Sequence, residues 1–195
     1  MLSHLPALCR SLGPELIGPD GATDAEKSAF LLGMTGQESS WGDRWCAVKH
    51  EALYARGGTY YNGSADLRRL VARYEDAAAC SFGPWQILYV SAWEVGFRGH
   101  PWELTDPRVS GEQVVARINQ KILQRTVKFG NGFRQEPRPG VDFAAIYRAW
   151  NGGLGALESP LPSVVEYAAK QMSNMSEAAR ILALNGVKGR PAEVA

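Results

Sequence analysis

The sequence predicts a mainly α-helical single domain with a minor β element, on three observations. Most segments between glycine and proline breaks carry apolar residues at helical spacing. The chain has 195 residues, of which 45% are hydrophobic, so it can bury a substantial core without a second domain. Residues 41–63 are rich in Gly, Tyr and Trp and lack a steady period, which leaves room for only a small sheet. We therefore expect one domain over 1–195, with its core at about 24–172.

The first predicted helix begins at a capping box. Thr23 can accept a hydrogen bond from an early helical amide, while the side chain of Glu26 reaches back to the backbone of Thr23. Apolar residues at helical spacing then continue to about Ser39. We expect a helix over about 24–39.

The apolar stripe of this helix ends in a carboxylate. At about 100° per residue, Glu38 shares one quadrant of the helix with Phe30, Leu31 and Met34. A carboxyl group at the edge of a core is partly desolvated, which disfavours its charged form and raises its pKa. Glu38 therefore either keeps a proton and serves as a general acid, or turns to water at a frayed helix end.

Glycine- and proline-containing breaks divide the middle of the chain. Residues 41–63 favour an irregular segment with a short strand pair at about 59–62. Ser64 suits the cap of a second helix that runs to about residue 78. A short helix is expected over about 86–95, just after a proline suited to a first turn.

Four helices are predicted in the second half of the chain. Their apolar residues recur at helical spacing over about 114–122, 143–150, 163–172 and 176–186. Glycines are expected to end three of them, at Gly130 and Gly132, at Gly152 and Gly153, and at Gly186. Residues 134–140 form a proline-containing loop in this interpretation.

The charge of the chain is nearly balanced but unevenly distributed. The formal net charge is +1, which is not the strongly basic balance of a dedicated nucleic-acid binder. Between Ala116 and Trp150, however, there are seven basic residues and two acidic ones. This stretch is either a solvated helix face and loop, or a surface that attracts an anionic polymer such as a bacterial wall or a nucleic acid. We expect no nucleic-acid partner.

The cysteines and the N-terminal segment indicate in which cellular compartment the protein is made. Cys9, Cys46 and Cys80 are an odd number, which does not suggest a disulfide framework, although one pair stays possible. Cys46, His50 and Cys80 make a weak zinc signature without an evident fourth ligand, so we expect no metal and no cofactor. The first residues lack the basic start and apolar run of a secretory signal, and no segment has the roughly 20 apolar residues of a membrane span. We expect synthesis in the cytoplasm without stable membrane insertion.

Four short segments at the edges of predicted helices carry the functional argument. They are Glu38-Ser39-Ser40-Trp41, Ser81-Phe82-Gly83-Pro84-Trp85-Gln86-Ile87, Ala149-Trp150-Asn151-Gly152-Gly153 and Glu166-Tyr167-Ala168-Ala169-Lys170. Any one of these motifs occurs by chance, but four in this order are more specific. Over about 24–172 they resemble the motif set of the lytic transglycosylase and goose-type lysozyme superfamily.

The resemblance implies a lysozyme-like α+β fold and cleavage of peptidoglycan between N-acetylmuramic acid and N-acetylglucosamine. Glu38 matches the family's catalytic acid, which protonates the glycosidic oxygen. Ser81 and Gln86 match residues that line the cleft beside that acid, and Asn151 matches the cleft asparagine. Tyr167 matches the late tyrosine whose hydroxyl lies near the catalytic carboxyl. A glutamate on an apolar helix face suits this chemistry, because breaking an acetal needs a donor that stays protonated near neutrality.

Two positions depart from the family pattern. Trp150 stands where the family usually has tyrosine, and Pro84-Trp85 stands where the family usually has a smaller or aliphatic pair. Both changes keep an apolar wall, so we expect an altered cleft with Trp150 among its substrate-binding residues. Trp41, Trp45, Trp85 and Trp150 either stack on sugar faces or belong to the core.

The sequence leaves the second half of the mechanism open. Transglycosylases of the resembled type use one glutamate and let the muramic acid's own hydroxymethyl oxygen close an anhydro ring, and we favour this route. Hydrolysis by a muramidase would need a second carboxylate, for which the acids near the motifs are the candidates, namely Asp43, Glu51, Glu75 and Asp76. A function of another class, a non-catalytic wall-binding or structural module, stays open because fold does not establish activity.

The expected setting is the bacterial cell wall or periplasm. Without a signal peptide, the chain fits a phage endolysin released by a holin, or a wall-piercing enzyme delivered with a virion or a secretion machine. We expect a monomer whose partner is the glycan strand of peptidoglycan.

Overall fold

α-Helices form most of the chain in a computed structural model that describes residues 3–44, 47–130, 132–158 and 160–188. The helices are α1 (Leu5–Leu12), α2 (Asp24–Ser39), α3 (Thr59–Gly63), α4 (Ala65–Tyr74), α5 (Tyr89–Trp93), α6 (Pro107–Arg117), α7 (Phe143–Gly152) and α8 (Pro162–Lys188). The strands are β1 (Val48–His50), β2 (Cys80–Phe82), β3 (Ile87–Leu88), β4 (Gln124–Phe129) and β5 (Gly132–Pro137). Helical turns of 3₁₀ type lie at Gly13–Glu15, Glu75–Ala79, Pro101–Thr105 and Leu154–Leu157, and a π-helical turn lies at Ile118–Ile122. The mainly α-helical fold class with a minor β element is confirmed.

Helix α2 begins at the predicted capping box. The hydroxyl of Thr23 accepts from the Glu26 N–H at 3.2 Å, and the Glu26 carboxylate accepts from the Thr23 N–H at 2.8 Å. The helix ends at Ser39 because Ser40 and Trp41 turn into the left-handed region, with φ of 53° and 61°. The predicted bounds of this helix are therefore confirmed.

Helix α8 is one continuous helix, so the prediction of two helices with a break at about 173–175 is wrong. No glycine or proline interrupts this stretch, and its middle packs directly on α2. Gly186 does not cap a helix end, because the helix continues to Lys188. Packing against a neighbouring helix outweighs the weak propensity of Ser173 and Asn174.

The crossing of α2 and α8 depends on a glycine. A Cβ at Gly33 would lie 2.8 Å from the backbone Cα and N of Met175. We expect Gly33→Ala to force the helices apart and to destabilise the protein by about 1–3 kcal/mol, roughly 2–12 °C in Tm. Helix propensity alone would make alanine better by about 1 kcal/mol, so a rise in Tm in thermal unfolding would contradict this packing. Gly155→Ala is the control, because a Cβ there meets no atom within 4 Å in the described part of the chain.

The small sheet lies in a different place from the predicted one. Strands β1, β2 and β3 pair antiparallel, with Lys49 opposite Ser81 and Phe82 opposite Ile87. The strand pair predicted at 59–62 is wrong, since these residues form α3. Aromatic residues are enriched in strands, but this preference depends on the packing context, and here the ring of Tyr60 stacks on Tyr54 with centroids 4.7 Å apart.

The helix predicted over 86–95 is shorter in the structure. Ile87 and Leu88 pair with β2, so α5 begins only at Tyr89. In the preceding turn, Trp85 is fully buried and its indole N–H donates to the Leu31 carbonyl at 2.8 Å. This turn is thereby fixed to α2.

Helix α4, the second helix that the sequence predicted, agrees better with its prediction. Ser64 caps α4 by accepting from the Leu67 N–H at 3.2 Å, as expected. The helix ends at Tyr74, and the rest of the stretch predicted as helix, to about residue 78, lies in the 3₁₀ turn Glu75–Ala79.

A β-hairpin replaces the predicted end of the helix at 114–122. Helix α6 and its π-helical turn stop at Ile122, before Gly130, and β4 and β5 pair with Val127 opposite Arg134. The predicted proline-containing loop at 134–140 starts inside β5. Most side chains of this hairpin are exposed, so no alternation of apolar and polar residues marks it in the sequence.

One hydrophobic core joins the first and last helices. Leu5, Leu12 and Leu182 are buried in the same cluster as Phe30 and Tyr147, so the core extends beyond the predicted 24–172. Helix α1, which the sequence pattern left unassigned, closes one side of this cluster. Within the described residues, no helix has the length and apolar character needed to cross a membrane.

Candidate active site

The carboxyl group of Glu38 lies at the meeting point of α2 and α8. It belongs to the last turn of α2 and is half-buried, and the hydroxyl of Tyr167 donates a hydrogen bond to its Oε1 atom. Burial raises the pKa of Glu38 above its ordinary value. The alternative that Glu38 turns to water at a frayed helix end is therefore excluded.

A short relay on α8 orients the tyrosine. Gln171, one turn after Tyr167 and fully buried, donates from Nε2 to the Tyr167 Oη at 2.9 Å. Asn174 in turn donates to the Gln171 Oε1 at 3.5 Å. Because Gln171 donates to the tyrosine oxygen, the hydroxyl proton is directed toward Glu38. Burial and the nearby Glu38 carboxylate raise the pKa of Tyr167, so it stays a donor.

Four effects set the protonation of Glu38. Burial is the largest and raises the pKa of Glu38. The hydrogen bond from Tyr167 and the positive charge of Lys49 lower it, and the negative charge of Glu51 raises it again. The net pKa is raised, because desolvation outweighs the two groups that favour the anion.

Glu51 is the second carboxylate of the site. It follows β1, is half-buried, and its Oε1 lies 2.9 Å from the Lys49 Nζ. The hydroxyl of Ser81 on the neighbouring strand lies 3.1 Å from the same oxygen. Of the four acids that the sequence left open, Glu51 is the one whose charge acts on Glu38, whereas Asp43, Glu75 and Asp76 have exposed side chains.

Ser81 and Gln86 form a hydrogen-bonded group next to the Glu51 carboxylate. Ser81 is buried, and its hydroxyl proton serves either Glu51 or the Gln86 Oε1, both at 3.1 Å. The Gln86 amide donates to the carbonyls of Ala47 and Gly83, each at 3.0 Å. Of the two predicted cleft residues, Ser81 therefore contacts Glu51, and Gln86 contacts Ser81 and the backbone on either side of the sheet, while among the described residues no hydrogen bond joins either of them to Glu38.

Trp150 and Asn151 come from the last turns of α7. Asp142 caps this helix by accepting from the Ala145 N–H at 2.6 Å. Trp150 is half-buried against the core, and the side chain of Asn151 is exposed. Among the described residues, Tyr167 forms a hydrogen bond with Glu38 and Asn151 does not.

The tryptophans divide between core and surface. Trp85 is fully buried, so it is a core residue and cannot stack on a sugar. Trp41 is half-buried and packs near Gly36 of α2. Trp45 lies outside the described residues.

A pocket that the sequence did not indicate lies beside Glu51. Its volume is about 310 Å³. The stacked rings of Tyr54 and Tyr60 line it, together with the ion pair between Glu94 and Arg117 at 2.8 Å. Glu51 is joined to this pocket through the backbone, because its carbonyl accepts from the Tyr54 N–H at 2.8 Å, whereas Glu38 is not among the described residues that line the pocket. No local motif marks it, because its residues come from three separate stretches of the chain, 54–67, 90–94 and 117.

The described residues contain no cluster of three His, Cys, Asp or Glu side chains that could hold a metal ion. Cys9 and Cys80 are buried free thiols, and burial raises the pKa of Cys80. Cys46, the other cysteine of the weak zinc signature, lies outside the described residues.

Comparison with known proteins gives no assignment: no family model, no curated protein and no solved structure matches the chain.

Proposed function

We propose that this protein is a peptidoglycan glycosidase that cleaves between N-acetylmuramic acid and N-acetylglucosamine, with Glu38 as the catalytic acid. The observation that carries the proposal is a half-buried carboxyl of raised pKa that accepts a hydrogen bond from Tyr167. The four motifs of the sequence and the helical fold are consistent with this function. Delivery by a holin or a virion, and a monomeric state, stay predictions.

The proposed chemistry uses Glu38 twice. The protonated carboxyl donates to the glycosidic oxygen as the bond to the muramic acid breaks. The resulting carboxylate then accepts the proton of the sugar's hydroxymethyl group, whose oxygen closes the anhydro ring. The Tyr167 hydroxyl stabilises this carboxylate, and Gln171 keeps the hydroxyl aimed at it. We favour this lytic transglycosylase route.

The position of Glu51 favours a second candidate, a hydrolytic muramidase. Its negative charge raises the pKa of Glu38, and its carboxylate is held by Lys49 and Ser81. A second carboxylate of this kind could activate water or trap the sugar. In the transglycosylase route, the same charge would instead stabilise the cationic, oxocarbenium-like transition state.

The pocket beside Glu51 supports a carbohydrate substrate. Tyr60 presents an exposed ring, and hydroxyl and charged groups surround it. Aromatic faces combined with a few polar groups are the usual means of binding a polar ring compound.

Digestion of purified peptidoglycan, followed by mass spectrometry of the products, tests the proposal. We expect soluble muropeptides with anhydromuramic ends. Reducing muramic acid ends would select the hydrolase. Binding to the wall without cleavage would contradict both enzymatic candidates and favour a wall-binding module.

Tyr167→Phe is expected to lower turnover about tenfold and to move the alkaline limb of the activity profile to higher pH. The hydrogen bond from Tyr167 lowers the pKa of Glu38, so its loss lets that pKa rise further and keeps the acid protonated longer. The pH dependence of kcat/KM measures the shift. Tyr89→Phe, which removes a hydroxyl bonded to the Gly99 carbonyl, is the control and should leave the limb in place. A limb that moves to lower pH would refute the assigned contact.

A further inference from the structure

The tip of the β4–β5 hairpin exposes two large apolar side chains. Phe129 is 63% exposed and Phe133 is 76% exposed. Each belongs to a hairpin whose other side chains are mostly exposed as well. Two exposed phenylalanines at the end of one hairpin indicate a binding surface more than a single exposed apolar residue does.

The two rings point to opposite faces of the hairpin. In the register, Phe129 stands opposite Gly132, and Lys128 stands opposite Phe133. Because neighbouring side chains on a strand alternate between faces, Phe129 lies on one face and Phe133 on the other. A partner that used both rings would have to surround the tip.

Basic side chains accompany both rings. The Arg134 guanidinium lies 4.4 Å from the centre of the Phe129 ring, and Lys128 is the direct cross-strand neighbour of Phe133. Glu136, the one acidic residue in the sequence of the two strands, pairs with Arg134 at 2.5 Å and with Arg125 at 3.6 Å. Among the described residues, Lys128 forms no ion pair, so the tip keeps a positive charge.

The base of the hairpin is fixed to the body of the protein. The Arg138 N–H donates to the Leu123 carbonyl at 2.7 Å, and its Nε donates to the Ile122 carbonyl at 3.1 Å. The tip is therefore presented on an anchored support.

The position of the two rings on opposite faces of the hairpin favours one kind of anionic partner over another. Stacking on a nucleobase or a sugar would use one face, and so one of the two rings. A lipid interface surrounds an inserted tip and buries both rings, while the cations contact phosphate headgroups. The hairpin is a two-stranded sheet among the described residues, so its outer backbone groups must stay hydrated and insertion must be shallow.

We propose that the hairpin tip, with Lys128, Phe129, Phe133 and Arg134, docks peripherally on an anionic phospholipid bilayer. This inference is independent of the proposed glycosidase activity, since it uses none of the residues assigned to the site. It accounts for part of the basic stretch at 116–150.

Co-sedimentation with vesicles of phosphatidylglycerol and phosphatidylcholine, against vesicles of phosphatidylcholine alone, tests the proposal. We expect binding to the anionic vesicles that weakens from about 0.1 M to about 0.5 M salt, and little binding to the neutral ones. The double variant Phe129→Ser/Phe133→Ser should lower partitioning at least about tenfold, since it removes two buried apolar side chains. Equal binding to both vesicles, or full binding by this variant, would overturn the proposal.

Matched variants distinguish insertion of the two phenylalanines into the bilayer from other causes of vesicle binding. Phe129→Leu/Phe133→Leu keeps apolar side chains, so it should bind clearly more tightly than the serine variant, whereas stacking on bases would be lost in both. Leu161→Ser, at a side chain 68% exposed elsewhere, and Arg69→Gln, in a surface ion pair with Asp66, should leave vesicle binding unchanged. Circular dichroism checks that each variant is folded. Binding to single-stranded DNA that both phenylalanine variants abolish, without vesicle binding, would assign the tip to nucleic acid instead.

Discussion

Glu38→Gln is expected to lower the turnover of purified peptidoglycan by about 10²–10⁴-fold. Glutamine fills nearly the same volume and can still accept the Tyr167 hydrogen bond, but it has no proton to give to the glycosidic oxygen. Release of soluble muropeptides over time, quantified by mass spectrometry, measures the loss. Turnover within a few fold of wild type would eliminate Glu38 as the acid.

The same substitution has an expected signature in stability. Since the pKa of Glu38 is raised in the folded state, ionising this group costs more in the folded protein than in the unfolded chain. The free energy of unfolding of the wild type therefore falls as pH rises from the unfolded to the folded pKa of Glu38, and Glu38→Gln should have the higher Tm near neutrality. The difference should vanish as pH falls below the ordinary glutamate value of 4.5. Each 1 kcal/mol of difference in the free energy of unfolding would appear as a difference of about 2–4 °C in Tm.

A charge-matched control makes this readout specific. Glu112→Gln removes a carboxylate that is exposed on α6 and lies 3.9 Å from Arg108. It should change neither turnover nor the pH dependence of Tm, since an exposed ion pair contributes little. A Glu38→Gln protein less stable than wild type at neutral pH would contradict the desolvated setting of the acid.

Glu51→Gln is expected to lower turnover by about 10²-fold, as removal of a preorganised electrostatic group commonly does. The lost negative charge no longer faces the cationic transition state. It also no longer raises the pKa of Glu38, so the alkaline limb of kcat/KM should move to lower pH, the direction opposite to Tyr167→Phe. Asp76→Asn, at an exposed acid near the same sheet, is the control for loss of a surface charge.

The products of Glu51→Gln separate the two candidate reactions. If Glu38 acts alone, the residual products keep their anhydro ends, and the variant is slower without a change of chemistry. If Glu51 activates water or traps the sugar, the wild type yields reducing ends and the variant loses them. A variant with unchanged turnover and an unchanged pH limb would remove Glu51 from the site altogether.

The parts of the structure that the sequence predicted well are set by residues that are close together along the chain. The capping box of Thr23 and Glu26, the extent of α2 and the placing of Glu38 on its apolar face follow from spacings of three to eight residues. Helix α7 and its end near Gly153 follow for the same reason. The resemblance of motifs also anticipated the partner of the acid, because Tyr167 does donate to Glu38.

Other features depended on contacts that no local pattern records. The exposed strands β4 and β5 lack an apolar face, and the break expected in α8 is absent because its middle packs on α2. The sequence motifs did not include Gln171, although it lies four residues after Tyr167 on the same helix, a spacing that places both residues on one face. That spacing is the signal that could have found it.

By itself, then, the sequence determined the helical fold class, the first cap and the position of one acid on the edge of a core. Only the tertiary structure decided that Glu51, among four acids, acts on Glu38, because strand pairing brings Ser81 across 30 residues to hold it. The hydrogen bond from Tyr167 likewise spans 129 residues. Periodicity in the sequence shows which side of a helix or strand is buried. Which side chain that buried side contacts depends on how the helices and strands pack together.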